Sequence, residues 1–287
     1  MSFDSRFRPL ARRAYQKWEA LPINHKRARS KIVDPYLQPR QRLARDWIGQ
    51  HTESDNFYYD LTPDNLRELG SLIAAISGAS PALIDEYLEE IHTDPHLREH
   101  LARTWVDNPK MRDAQLAYGR RVGWYALVRI LKPKMIIETG VHQGVGACVL
   151  TSALIRNRVD GSPGRYLGTD IDPGAGVLLT GRYAQVGEII YGDSITTLSK
   201  ISTPIDFFIN DSDHSAEYES REYDTILPLL AKSSIILGDN SHTNSRLNDF
   251  SRQHGRSYLF FGEVPANHWY PGAGIGVSLS TIPLILD

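Results

Sequence analysis

From residue 135 onward, short apolar runs rich in Ile, Val, Leu and Phe alternate with longer segments whose apolar residues recur at helical spacing. The runs predict strands at 135–139, 165–170, 187–191, 204–210, 233–238, 257–262 and 274–280, and the segments predict helices at 145–157, 175–184, 215–231 and 244–254. This alternation predicts an α/β fold, a Rossmann-like, mostly parallel sheet covered by helices on both sides. The last strands lack a good helix between them and predict an antiparallel edge pair.

Upstream the pattern is helical. Thr62-Pro63, Ser80-Pro81 and Asp94-Pro95 each place a capping side chain before a proline at the first helical position, which predicts three helix starts and a helical stretch to about Asn108. The stripes Leu66, Leu69, Leu72, Ile73 and Leu83, Tyr87, Leu88, Ile91 read as core packing. After Met111 a further helix containing Tyr118, Trp124, Leu127 and Ile130 is expected to end at Lys132-Pro133. Between Phe3 and Trp47 the apolar residues are sparse and set among arginines, which predicts one or two surface helices broken near Pro22 and Pro35. The expected organisation is an N-terminal helical region over 1–112, with a basic arm at 1–45 and helices at 62–108, followed by an α/β domain over 113–287.

Composition narrows the class. The 287 residues are 41% hydrophobic with a net charge of −2, enough for a full core, and no apolar run is long enough to cross a membrane. The start, Met-Ser-Phe-Asp-Ser-Arg-Phe-Arg, has no apolar signal core, and a single cysteine, Cys148, excludes an intrachain disulfide and fits a reducing cytoplasm. Up to Arg45 there are twelve Lys/Arg against three Asp/Glu, so the arm is basic and the remainder acidic. Such an arm can hold nucleic acid, but a solvated helical face or pairing with an acidic neighbour in a homo-oligomer is the preferred reading. Phe7, Tyr15 and Trp18 make this region a candidate self-association surface.

The chemistry gathers at Met135–Leu150. An apolar strand ends in Glu138, and Thr139 leads into a loop with glycines at 140, 144 and 146 and then a helix. Glycines let the backbone approach a ligand closely. A dinucleotide fingerprint would read G-x-G-x-x-G and offer amides to a pyrophosphate, whereas the carboxylate of Glu138 suits a cation such as the ammonium of a methionine moiety. Ligands of parallel sheets bind at the carboxyl ends of the strands, and there the other polar residues collect: Asp170, Asp193, the run Asn210-Asp211-Ser212-Asp213-His214, and Asp239-Asn240. Asp170 is placed to accept both hydrogen bonds of a ribose diol. Asp193 is placed to accept an exocyclic adenine amine, with Ser194 capping the next helix. Asp211, Asp239 and Asn240 offer hard oxygens, a ligand set suited to Mg²⁺.

Taken together, Glu-Thr-Gly-Val-His-Gln-Gly-Val-Gly, Gly-Thr-Asp-Ile-Asp, Tyr-Gly-Asp-Ser, Asn-Asp-Ser-Asp-His-Ser and Leu-Gly-Asp-Asn resemble, over about residues 115–280, the class I S-adenosylmethionine-dependent methyltransferases. The last two motifs resemble the metal-dependent O-methyltransferases of the catechol and caffeoyl-coenzyme A type and of the macrocin or sugar type. The resemblance implies a seven-stranded sheet with an antiparallel last strand. It also implies Glu138, Gly140 and Gly144 around the methionine part, Asp170 on the ribose, Asp193 with Ser194 on the adenine, and Asp211, Asp239 and Asn240 on a divalent ion. Thr139, Gly146 and Asp211 belong to the same cofactor cradle.

Two departures stand out. Gly146 replaces a serine of the catechol-type pattern, so one hydrogen bond to the methionine carboxylate must come from elsewhere. His214 stands where that pattern has a lysine base, while the sugar-type pattern points to Asp213. The expected reaction is O-methylation of a small hydroxylated molecule, a vicinal diol, sugar or catechol-like group. The rival readings are a non-catalytic S-adenosylmethionine or nucleic-acid-binding module and an NAD-dependent oxidoreductase. Substrate selection is expected from the helical first third and the loop Asn267-His268-Trp269-Tyr270-Pro271-Gly272.

Overall fold

The computed structural model describes residues 17, 22–50, 58–107 and 117–280; Phe7, Tyr15 and Trp18 lie outside them. Helix α1 (Pro22–Ile48) starts at Pro22 and continues through Pro35 and Pro39 instead of breaking at Pro35. The two prolines are four residues apart and so share one face. The carbonyls that lose their helical partners there lie along a mostly solvent-exposed surface, where water can replace them. Helix α1 and the segment Asn267–Tyr270 form one compact unit, in which the rings of Trp47 and Trp269 lie 5.3 Å apart. The helices and sheet described next form the other.

All three proline-led starts become helices: α2 (Pro63–Ser77), α3 (Pro81–Thr93) and α4 (Pro95–Asp107). Thr62 Oγ1 accepts the Asn65 amide at 3.3 Å, Ser80 Oγ the Leu83 amide at 3.4 Å, and Asp94 Oδ1 the amides of His96 and Leu97 at 2.9 and 3.2 Å. Leu69, Ile73, Leu88 and Ile91 are buried, as their spacing predicts. Helix α5 (Arg121–Leu131) is buried from Val122 to Ile130. It packs against α2, α3 and α6 (Val145–Val159). Its one buried charge, Arg129, is neutralised by Glu90 at 2.7 Å and Asp160 at 2.9 Å.

Seven strands follow: β1 (Met135–Thr139), β2 (Arg165–Asp170), β3 (Gly187–Tyr191), β4 (Ile205–Asn210), β5 (Leu230–Gly238), β6 (Ser257–Gly262) and β7 (Gly274–Leu279). They form one sheet in the order β3-β2-β1-β4-β5-β7-β6. The first five are parallel, and β7 runs antiparallel to both of its neighbours. The expected antiparallel pair is thus β6 and β7, with β7 inserted beside β5. Short α7 (Ser194–Leu198), α8 (Ala216–Ile226) and α9 (Arg246–Gln253) supply the rest of the cover. Register aligns Ile137 with Phe208 and Phe208 with Ile236, a row that packs on Tyr223, Ile226, Leu247 and Phe250. The intervening row, Ile136, Phe207 and Ile235, faces the opposite side by the two-residue period of a strand.

Two expected helices change. Residues 175–184 form turns ending in a 3₁₀ turn at Tyr183–Gln185, because the Gly176 and Leu178 amides go to the carbonyls of His142 and Gln143 at 2.6 and 3.1 Å, not to a helix of their own. Helix α8 stops at Ile226, five residues early, since Pro228 ends the ladder and β5 has begun by Leu230. Among the described residues no helix is long and apolar enough to cross a membrane.

One side chain of α8 ties the strand tips together. Glu222, fully buried, accepts hydrogen bonds from Thr139 Oγ1 at 3.2 Å, Ser212 Oγ at 2.8 Å, the Asn210 amide and the Ser194 hydroxyl. Burial pushes its carboxyl above the ordinary range, and the hydroxyl donors oppose that rise. Glu222→Ala strands four donors from four chain segments at once. Chemical denaturation should show a loss of about 3 kcal/mol or more, whereas a loss under about 1 kcal/mol would mean that the tips do not depend on it.

Candidate active site at the strand tips

The strand order reverses between β1 and β4, the place where parallel sheets open a crevice at their carboxyl ends. The backbone ladder continues past the strand ends, with the Gly140 amide on Thr169 O, Asp211 on Thr139 O and Asp239 on Asn210 O, each at 2.8–2.9 Å. Glu138, Asp170, Asp211 and Asp239 are therefore held on adjacent tips. Gly140, at φ +80°, is needed at this crossing, because a Cβ there would fall 1.9 Å from the Asp211 carbonyl oxygen.

Glu138 is 2% exposed and takes a hydrogen bond from the Tyr166 hydroxyl. Burial lifts its carboxyl to about 7; the Tyr166 bond and Arg121 act against that rise, while Asp170 and Asp239 add to it. Asp170 spends Oδ2 on the amides of Val141 and His142, both at 2.9 Å, and Oδ1 on the Asp172 amide at 2.9 Å. It shapes the glycine loop and keeps one lone pair on Oδ1. Asp193, not Ser194, caps α7: its Oδ2 accepts the Thr196 amide at 2.8 Å and its Oδ1 the Tyr218 hydroxyl at 2.6 Å. Those bonds hold its carboxyl below the usual range, the Tyr218 bond contributing most. Ser194 turns inward to Tyr218 at 2.9 Å and to Glu222.

On the other side of the crevice Asp211, His214 and Asp239 each offer a ligand atom, all within 4.8 Å of one another. Burial and the neighbouring charge of Asp239 drive the Asp211 carboxyl well upward. Burial alone would also raise Asp239, but Arg120 and the hydrogen bond from Asp211 outweigh it and hold Asp239 low. Two buried carboxylates set against each other in this way form a site a divalent cation can take over. His214 Nε2 lies 3.7 Å from Asp211 Oδ1 and 3.0 Å from Asn240 Nδ2, while Nδ1 faces Glu219 at 3.6 Å. The Glu219 carboxylate raises the imidazole pKa above its ordinary value, against burial. Asn240, at φ +53°, also places Nδ2 3.2 Å from Asp239 Oδ2. Carboxylate oxygens with an imidazole nitrogen suit a divalent cation such as Mg²⁺ or Mn²⁺, which Asp211, Asp239 and His214 would hold; the expected ligand Asn240 turns its Nδ2 toward Asp239 and His214, and its amide would have to reverse to offer an oxygen there. Asp213 stands apart from this group: it is exposed, and its Oδ1 accepts the Ser215 amide at 2.8 Å.

With this geometry in place, a family model described as a methyltransferase domain matches residues 137–241, from inside β1 to just past β5. The matched stretch spans the five parallel strands and the tips that carry Glu138, Asp170, Asp193, Asp211 and Asp239. The sheet is similar to that of cofactor-bound Rv0187 from MTB, at 18% identity over 69% of this chain and 95% of that one, TM-score 0.50. Weaker likenesses are the O-methyltransferase TomG from Streptomyces achromogenes in complex with SAM (19%, 66% and 90%, TM-score 0.47) and an O-methyltransferase from Bacillus cereus in complex with SAH (16%, 74% and 97%, TM-score 0.44). A sequence comparison with curated proteins finds no match.

Several residues of the crevice escaped the sequence reading. Glu219 and Glu222 of α8 were not singled out, nor was Ile171, which is 79% exposed directly after Asp170. Arg120 and Arg121 did carry a signal, since two arginines at a helix N-terminus oppose the helix dipole and call for a tertiary partner. Arg120 is 8% exposed and pairs with Asp239 at 2.7 Å and with Glu263 at 3.3 Å, and Glu263 also accepts the Tyr59 hydroxyl at 2.9 Å. A separate cleft of about 450 Å³ between α3, α4, α5 and α6 pairs Arg129 and Arg156 with Glu90, Asp94 and Asp160, with Arg182 also on its wall, and it lies toward the far end of α6.

Arg120→Met leaves Asp239 and Glu263 buried without their cation. Denaturation should show a loss of about 3–5 kcal/mol. A loss below about 1 kcal/mol would show that the two acids are neutralised by protons rather than by Arg120.

Proposed function

We propose that the domain transfers the methyl group of S-adenosylmethionine to an oxygen of a small hydroxylated molecule, a vicinal diol, sugar or catechol-like group, with a divalent cation at Asp211 and Asp239. The observation that carries this reading is the division of the crevice: Glu138, Asp170 and Asp193 on one side of the β1–β4 crossing, and the Asp211, His214, Asp239 and Asn240 group on the other. The solved O-methyltransferases of similar fold support the choice of oxygen as acceptor.

In this reading Glu138 pairs with the ammonium of the donor, Asp170 uses its remaining lone pair on a ribose hydroxyl, and Ile171 offers an apolar face to the adenine. The acceptor oxygen attacks the sulfonium methyl carbon in line, the carbon–sulfur bond breaks, and the thioether leaves as S-adenosylhomocysteine. His214 takes the hydroxyl proton at Nε2, because its Nδ1 is directed at Glu219; a well-placed base contributes roughly 10²–10⁴-fold. When bound, the cation supplies Lewis acidity that lowers the pKa of the attacking hydroxyl. A second reading exchanges roles, with His214 as third ligand and Asp213 as base, and rests on the closeness of His214 to both aspartates. Mn²⁺ affinity separates them: loss in Asn240→Ala supports the first, loss in His214→Ala the second. The single cysteine, buried Cys148 with its thiol pKa pushed up by desolvation, fits a cytoplasmic setting.

Methyl transfer from labelled S-adenosylmethionine to simple catechols and diols should vanish with a chelator and return with Mg²⁺. Chelator-insensitive transfer, or full activity of Asp239→Ala, would remove the cation from the mechanism. The titration of Glu138 near 7 gives an independent check. Only its ionised form attracts the ligand's ammonium, so S-adenosylhomocysteine affinity by calorimetry should be flat above pH 7 and fall toward tenfold per unit below it. An affinity unchanged from pH 5.5 to 8 would take Glu138 out of donor binding.

A further inference from the structure

Two buried atoms beside the crevice face each other without a hydrogen-bond partner at normal distance: Nδ1 of His214 and Oε1 of Glu219, 3.6 Å apart. Glu219 is 1% exposed and projects from the first turn of α8, just beyond the loop that carries His214. A buried ring nitrogen and a buried carboxyl oxygen are each costly when left alone. An approach of about half an ångström brings this pair to hydrogen-bonding distance, and such bonds in active sites commonly tighten only when a ligand arrives.

The other edge of the ring places the proton. Nε2 of His214 lies 3.0 Å from Nδ2 of Asn240, and that same nitrogen lies 3.2 Å from Oδ2 of Asp239. An amide NH₂ has two protons and serves both acceptors at once. Reversing the amide would set its oxygen against the Asp239 carboxylate, two acceptors with no proton between them. Nε2 is therefore the acceptor and carries the lone pair, so the ring proton sits on Nδ1, facing Glu219.

This choice decides what the imidazole offers. Nε2 also lies 3.7 Å from Oδ1 of Asp211, on the side of the two aspartates. A bare Nε2 there can take a proton or bind a cation, whereas an N–H there could do neither.

We propose that Glu219 is a positioning residue: it accepts the Nδ1 proton of His214 and so fixes the ring with the lone pair of Nε2 toward Asp211 and Asp239. This rests on the use of His214 proposed above, whether as base or as cation ligand.

The test reads the ring directly. Nitrogen NMR of the full chain with labelled histidine, in alkaline buffer with a chelator, distinguishes a protonated from a bare ring nitrogen, and the His214→Gln spectrum identifies the His214 signals among the ten histidines. The wild type should carry its proton on Nδ1. Glu219→Met, which keeps the bulk and removes the acceptor, should raise the share of the Nε2–H form roughly tenfold or more, while Glu219→Gln, which keeps an oxygen, should hold the wild-type form. A wild type protonated mainly on Nε2 would overturn the proposal, as would a ratio unchanged in Glu219→Met. If Glu219→Met fails to fold, the wild-type spectrum decides by its main form. No donor or acceptor molecule is present in this measurement, so its outcome is separate from that of the methyl-transfer assay.

Discussion

A carboxylate removed from water must be met by donors or by a cation, and the crevice is built on that constraint. Glu222 is its clearest case. Its bonds from Thr139, Asn210, Ser194 and Ser212 join the ends of β1 and β4, the start of α7 and the loop after β4. Each donor belongs to a segment that also carries a residue facing the crevice: Glu138 beside Thr139, Asp211 beside Asn210, Asp193 beside Ser194. The positions of the candidate ligands are therefore set from beneath by one side chain that no ligand needs to touch.

The same constraint explains the arginines. Asp211, Asp239 and Glu263 are drawn into one region of low exposure, and three ionised acids there would repel each other by several kcal/mol at the effective dielectric of a protein interior. Arg120 neutralises part of that charge through Asp239 and Glu263, and the upward drive on the Asp211 carboxyl eases the repulsion further. What remains is a group able to accept a cation without collapsing in its absence. The buried pairs are thus a requirement of the site and contribute little net stability.

Most of the fold was legible because it follows from local rules. The seven strands and their tips came from apolar runs bounded by acids and glycines, and the proline-led starts of α2, α3 and α4 came from capping chemistry that needs no tertiary context. The misread segments failed where tertiary hydrogen bonds outrank local preference. Residues 175–184 have helical spacing, yet the amides of Gly176 and Leu178 belong to the glycine loop. The candidate site was legible as a row of acids, since strand-end position is a topological property. Its second layer was less so: helical spacing puts Glu222 on the face of Ile226 and Glu217 on the opposite one, but nothing in the sequence of α8 names the hydroxyl and amide donors that meet Glu222 when it is buried.

Charge also bears on how such a crevice could run the proposed chemistry. A sulfonium loses its positive charge as the methyl group leaves, so a crevice that is purely acidic would favour the donor over the transition state, where that charge is already dispersing. Net attraction near the sulfur would then tighten binding and slow transfer. An arrangement that keeps Glu138 at the amino acid end and offsets Asp211 and Asp239 with Arg120 would avoid this penalty. Under the proposed reading it would place the strongest attraction on the ammonium, whose charge does not change during the reaction, and leave the reacting sulfur in a region closer to neutral.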